Sequence, residues 1–171
     1  MINPLDNPWR ERDARHMVLP VIKKILVTTD LSDEALKGYP YARSLAKAYD
    51  AKVYVLTCID TSIQLGVGGS MEMPVMYVPE TIAAIKEKTI TELKGHLQTH
   101  FPDESPEYIV REAAMPVHHI ITDFINEIGV DLVVMASHGR SGIRRTFMGS
   151  VAEQVLRASP KPVLVVPVKE A

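Results

Sequence analysis

The chain has 171 residues, enough for one domain that buries roughly two-thirds of its unfolded surface. Apolar residues make up 46% and charged residues 23%, and a net charge of -2 excludes the bulk cationic field that draws a protein to nucleic acid or anionic lipid. A single cysteine, Cys58, excludes an internal disulfide, and no apolar run approaches the ~18 residues of a membrane-spanning helix.

Residues 1–22 open with "MINPLDNPWRERDARHMVLP", which mixes both charge signs and has no apolar stretch of the secretory type. This stretch reads as an arm outside the fold, tethered by Trp9 or disordered, and the protein as cytoplasmic. The domain proper is expected over 23–171.

Five short β-branched runs follow: Ile25–Thr29, Val53–Ile59, Tyr108–Val110 with its flanks, Leu132–Ala136 and Val163–Val168. They are nearly continuous in apolarity, as strands buried on both faces of a parallel sheet require. Helical patterns lie between them. The first helix is expected from Ser32 as N-cap to about Tyr49, with Pro40 forcing a kink or a late start. Pro79–His100 carries Ile82, Ile85, Leu93 and Leu97 on one face. Val117, Ile120, Ile121, Phe124, Ile125 and Ile128 form a single stripe, with Pro116 in the first turn and Gly129 at the exit. The last helix is expected at "SVAE", with Ser150 and Glu153 as a capping box.

Strand–helix alternation over one domain specifies an α/β fold: a single doubly wound domain with a five-stranded parallel sheet and helices on both faces. One segment breaks the rhythm. "TSIQLGVGGSMEMPVMYVP", residues 61–79, is long and rich in Gly and Met, the mark of a lid or a disordered loop, and Met71, Met73 and Met76 suit a flexible apolar cover or partner surface.

In such sheets a ligand sits beyond the carboxyl ends of the strands where the winding direction changes. The exits that flank this point are "TTDLS" (28–32) and "ASHGRSG" (136–142). Gly139 and Gly142 allow close approach of backbone amides to an anion and positive φ where needed, and Gly149-Ser150 starts a helix whose free N–H groups attract phosphate. Asp30 suits a ribose hydroxyl or a metal carried by a polyphosphate. Spacing alone leaves two readings open: a phosphate cradle, or a glycine-permitted surface turn with solvated arginines, Arg144 and Arg145 among them.

The residues "ASHG", then nine residues "RSGIRRTFM", then "GSVAEQVLRASPKPVLVVP", together with "KKILVTTDLSDEA" at the first strand, resemble the nucleotide-binding branch of the universal stress protein family. The resemblance covers Lys23 to Val168. Two positions depart from the family pattern: Ala136 stands for its first motif glycine and Thr28 for a frequent proline. The resemblance implies a sheet in the order 3-2-1-4-5 and ATP in the crevice, with AMP, ADP or a cyclic nucleotide as substitutes and Mg or Mn as the companion ion. It places Thr28, Asp30 and Cys58 around base and ribose, and Ala136, His138, Gly139, Arg140, Ser141, Gly142, Gly149, Ser150, Val151 and Ala152 around the phosphates. It also implies a homodimer paired through Val163–Val168, an apolar edge that otherwise invites aggregation.

The remaining candidates read as structural. Cys58 is a small core hydrophobe first and a pocket wall second. His96 and His100, at i and i+4, lack the carboxylate of a metal site and read as surface histidines; of His118 and His119, one faces the core and one the solvent. No residue is placed to orient an attacking water, so the expected role is a nucleotide-dependent regulator in the stress response rather than a fast enzyme. The alternatives are a nucleotide-independent interaction module with an unidentified protein partner, and a slow ATPase or self-phosphorylating protein.

Overall fold

The computed structural model describes residues 20–60, 79–139 and 148–168. Five strands, β1 (Lys24–Thr29), β2 (Lys52–Asp60), β3 (Glu107–Ala113), β4 (Leu132–Ala136) and β5 (Val163–Val166), pair in parallel in the order β3-β2-β1-β4-β5. The helices are α1 (Asp33–Leu36), α2 (Tyr39–Tyr49), α3 (Pro79–His100), α4 (Val117–Ile128) and α5 (Ser150–Ala158). This is the doubly wound α/β fold expected from the alternation. The 1–19 part of the arm, the 61–78 part of the Gly/Met-rich segment and Arg144–Arg145 lie outside the described residues.

Alternation along the central strands divides the core in two. Ile25 and Val27 of β1, Val53 and Val55 of β2 and Val134 of β4 face a cluster completed by Tyr39, Ala42, Ala46, Leu93, Leu97 and Phe101 of α2, α3 and the residue after α3. Leu26, Tyr54, Leu56, Val133 and Met135 face the other, with Ile121, Phe124 and Ile125 of α4 and Ala152 and Val155 of α5. The α4 stripe read from the sequence is thus the packing face of that helix, and Gly129 at its C-cap takes φ 65°, the left-handed geometry that glycine tolerates best.

At the far end of the sheet from the crevice, one carboxylate oxygen of Asp131 accepts both the Lys23 and Lys24 amides at 2.9 and 3.0 Å, tying the start of β1 to the start of β4. Lys24 Nζ donates to Ile128 O at 2.6 Å, a cation placed at the negative end of α4.

Several boundaries differ from the sequence expectation. The single first helix is two: Ser32 caps α1 by accepting from the Ala35 amide, α1 ends after one turn, and α2 restarts from Gly38 with Pro40 in its first turn. Proline lacks the N–H that an unbroken helix needs there, so the chain begins again where that N–H is not required. Pro116 is the N-cap of α4 rather than a first-turn residue. The strand over 163–168 ends at Val166. The capping box at Ser150 does not form: Gly149 is the N-cap, Ser150 is the first helical residue, and Glu153 pairs with Arg157 instead.

His96 and His100 are half-buried rather than solvent-facing. The His100 ring meets Tyr39 edge to face, with centroids 5.3 Å apart. Burial, and then the neighbouring His96, push the His100 pKa below its ordinary value, while burial pushes the Tyr39 phenol up to about 12. The unfolded chain therefore binds the His100 proton more readily than the folded one. Stability from this group is complete above the unfolded imidazole value of about 6.5 and is lost as pH falls through the lower folded value. His100→Phe keeps an aromatic ring against Tyr39 without the titration, so its urea midpoint is expected to fall less than wild type between pH 7.5 and pH 5. Equal falls in the two proteins contradict this account.

Candidate functional site

The loops leaving β1 and β4 emerge side by side, because β1 and β4 are parallel neighbours whose connections lead to opposite faces of the sheet. Between them lies a cleft of about 740 Å³ including its open mouth, within the range of small-molecule sites.

The β1 lip is built by short polar side chains. Thr29 Oγ1 accepts the Leu31 amide at 3.0 Å, and Asp30 Oδ1 accepts from the Ser32 amide at 3.1 Å and the Ser32 hydroxyl at 2.5 Å. Ser32 Oγ in turn accepts the Ala35 amide that starts α1. Leu31 sits at φ 66° within this turn and is buried. A branched residue in the left-handed region costs about 1–2 kcal/mol, and the turn holds it there while its side chain joins the core. The result is a carboxylate fixed at the mouth of the cleft.

The β4 lip is tied down by Ser137, which is buried. Its N–H donates to Val166 O at 2.8 Å, its carbonyl accepts the Gly149 amide at 2.7 Å, and its hydroxyl accepts the Val168 amide at 3.0 Å while meeting His138 Nδ1 at 3.0 Å. Two glycines crowd this lip. A Cβ on Gly149 would lie 3.2 Å from Ser137 O. A Cβ on Gly139 would run into the Asp30 carboxylate, 2.9 Å from its Cγ. Gly139 is not in the left-handed region, contrary to one use expected of it; the missing side chain is what lets the two lips approach.

The first bond of α5 runs from the Glu153 amide to Gly149 O, so the amides of Ser150, Val151 and Ala152 have no partner within the helix. All three residues line the cleft, at the positive end of the helix dipole. The opposite wall is apolar: Leu56 from β2, Val117 and Ile121 from α4, and Met135 from β4. Three amides left unpaired by the helix, the polar residues Thr28 and Thr29 and one carboxylate therefore line a hydrophobic slot. Such a set suits a ligand with a flat apolar part and an anionic tail.

Of the residues expected at the site, Thr28, Asp30, Cys58, Ala136, His138, Gly139, Gly149, Ser150, Val151 and Ala152 line this one cleft. Arg140, Ser141 and Gly142 lie outside the described residues. Sequence reasoning missed Thr29, Ser137, Ala35, Leu56, Val117, Ile121 and Met135 as lining residues. Val117 and Ile121 looked like core because they are core: the N-terminal end of the α4 stripe serves both purposes. Ser137 had a signal, a small polar residue directly after a buried strand.

Cys58 is half-buried on the cleft wall, and burial pushes its thiol from 9.0 up to about 11, partly opposed by Arg111. Native Cys58 then carries about 100-fold less thiolate at pH 8 than an unperturbed thiol. The greater basicity of that thiolate recovers roughly ten-fold in nucleophilicity. An aromatic disulfide reagent is expected to label native protein about ten-fold more slowly than the urea-unfolded chain at pH 8. A native rate equal to or above the unfolded one contradicts a buried, protonated thiol.

Comparison with known proteins agrees with the fold and the motif. Residues 22–167 match the universal stress protein family. Universal stress protein MJ0531 of Methanocaldococcus jannaschii is 32% identical over 146 residues, covering 84% of this chain and 81% of its own length. The structure of MJ0577 from the same organism superposes with a TM-score of 0.67 at 28% identity, over 88% of this chain and 99% of that one. A universal stress protein from Archaeoglobus fulgidus in complex with dAMP shares the fold, with a TM-score of 0.56 at 21% identity over 86% of this chain and 98% of that one. The five parallel strands in the order β3-β2-β1-β4-β5, closed by this motif, place the chain in the universal stress protein family.

Proposed function

We propose that the cleft binds an adenine nucleotide, ATP with Mg2+ or Mn2+ in the first instance, and that the protein is a nucleotide-dependent regulator of the stress response. The observation that carries this reading is the convergence of the unpaired Ser150, Val151 and Ala152 amides with the Asp30–Gly139 contact on one apolar-walled cleft. The dAMP complex of the Archaeoglobus relative supports an adenine nucleotide as the ligand.

In this reading the base lies against Leu56, Cys58, Val117, Ile121 and Met135, and the phosphates lie at the α5 N-terminus with Ala136, His138, Gly139 and Gly149 around them; the family resemblance adds Arg140, Ser141 and Gly142. Thr28 and Asp30 serve the ribose. A divalent ion arrives on the polyphosphate, because no three His, Cys, Asp or Glu side chains converge as a metal site among the described residues. Asp30 is the one carboxylate among the described residues lining the cleft, and Ser32 already holds its Oδ1. That arrangement favours binding and signalling over rapid hydrolysis.

A ligand at a hundredfold excess over its dissociation constant stabilises the folded state by roughly 2.7 kcal/mol, and each kcal/mol is worth about 2–4 °C in a domain of this size. Mg-ATP is expected to raise the melting temperature by roughly 5–11 °C. Gly139→Val drives a branched side chain into Asp30 and should abolish the rise. Ser150→Ala should leave ligand-free stability within about 0.5 kcal/mol of wild type, because Ser150 is not the cap, while reducing the rise. Melting unmoved by millimolar Mg-ATP, in protein that carried no nucleotide from purification, would instead establish the nucleotide-independent module. Mass analysis of nucleotide released on denaturation separates ATP from AMP, ADP and cyclic forms.

The two sheet edges support pairing of two copies through β5. On β3, Glu107, Arg111 and Glu112 make ion pairs with Lys52, Glu127 and Lys86, and this charge guards the edge. On β5, Val163, Leu164 and Val165 are apolar and half-buried. Val165→Lys is expected to give a folded monomer by light scattering and circular dichroism. Val166 is a poor site for the same test, being 4% exposed and part of the core. A folded Val165→Lys protein that remains dimeric counts against this interface.

A further inference from the structure

Ser137 does more than fix the β4 exit. Its hydroxyl has one proton to donate and two lone pairs with which to accept. The Val168 amide donates to it at 3.0 Å, and the remaining contact is His138 Nδ1, also at 3.0 Å. Two arrangements satisfy that second distance. If Nδ1 carried the imidazole proton, it would donate to the second lone pair of Oγ, and the hydroxyl proton would have no acceptor. Ser137 is 6% exposed, so that proton would be stranded away from water. If Nδ1 is bare, the hydroxyl donates to it and every polar atom of the trio is satisfied. Buried hydroxyls left without an acceptor are strongly disfavoured, which decides between the two.

We propose that Ser137 is a positioning residue that holds His138 as its Nε2–H tautomer, so that His138 enters the cleft as a hydrogen-bond donor to an anionic ligand oxygen. His138 lines the cleft beside Gly139 and the first residues of α5. With Nδ1 turned to Ser137, the proton sits on the ring nitrogen directed away from it. A donor there joins the α5 amides and suits a phosphate-like oxygen at that position. The second half of the proposal rests on the nucleotide reading; the tautomer itself does not. The Val168 amide is essential to the logic, because it occupies one lone pair and leaves the hydroxyl with one donating role. The exit of β5 thereby sets the protonation pattern of a side chain in the cleft.

The test is long-range nitrogen–proton NMR of uniformly 15N-labelled full chain at pH 8, with the His138 signals assigned by loss in His138→Gln. Wild type should show Nε2 protonated and Nδ1 bare. Ser137→Ala should lose that preference and populate both tautomers, and Ser137→Thr, which restores a hydroxyl, should recover it. Mg-ATP should shift the His138 Nε2 signal in wild type and bind about 3- to 10-fold more weakly to Ser137→Ala. A protonated Nδ1 in wild type overturns the assignment whatever the Ser137 variants show. So does a Ser137→Ala protein with an unchanged tautomer, because a merely structural serine would leave the ring pattern alone. If wild type binds no Mg-ATP, the nucleotide role of His138 falls, and the ligand-free spectra still decide what Ser137 does.

Discussion

The whole site depends on β1 and β4 lying side by side in parallel while their connections turn to opposite faces. Ile25, Leu26 and Val27 pair with Leu132, Val133 and Val134, and on the other side β1 pairs with β2 along its full length. Neither face of β1 is free: all three residues have zero exposure. Asp131 locks this pair at its starting end by accepting two β1 amides through one oxygen. Charged acceptors make hydrogen bonds worth about 1.5–3 kcal/mol, reduced here by partial exposure. With the starts aligned and the strands nearly equal in length, the exits are aligned too. Thr28–Asp30 and Ala136–Gly139 therefore reach the crevice at the same level.

Two local costs follow from that convergence. Leu31 is held at positive φ, and the β4 lip must pass the Asp30 carboxylate with no side chain in the way. The first cost is about 1–2 kcal/mol, comparable to the roughly 1.5–3 kcal/mol that a buried leucine side chain contributes, so the turn is tolerated rather than favoured. The second is met by Gly139 at the lip itself, with Gly149 making the equivalent approach to Ser137 O. Close approach, to the Asp30 carboxylate at Gly139 and to the Ser137 carbonyl at Gly149, thus explains two of the motif glycines without reference to φ.

What the sequence disclosed tracks how local each determinant is. Buried parallel strands announce themselves as unbroken β-branched runs, and the α4 stripe and the full extent of α3 follow from helical spacing alone. The break between α1 and α2 was half-visible, since Pro40 forbids an unbroken helix but does not say whether the chain bends or restarts. The cap of α5 was misread because S-x-x-E fits Ser150 as N-cap as well as N1. A tertiary contact, Gly149 N–H to Ser137 O, settled the choice. His96 and His100 looked exposed because no local pattern reveals that α2 sets Tyr39 against that helix end. At the site, the motif residues were legible, whereas the apolar wall was invisible as a wall because each of its members also reads as core.

That double use has a physical consequence. Leu56, Ile121, Met135 and Ala152 belong to the second core cluster and also line the cleft. The first cluster, built on α2 and α3, reaches it through neither of those helices among the described residues; Thr29 of β1 and Ala35 of α1 line it from that side. The cleft is thus an unfilled margin of one hydrophobic core, and a flat apolar group entering it continues the packing of α4 and α5 against the sheet. Binding and folding on that face draw on the same contacts, so a substitution in the wall alters both together. Leu93, Leu97 and Phe101 of the other face line no part of the cleft. The polar lips divide in the same way: Asp30 is set by its own turn, while His138 and the α5 amides are set by Ser137, and through it by the exit of β5. A ligand that spans the cleft therefore bridges one lip fixed locally and another fixed by the edge of the sheet.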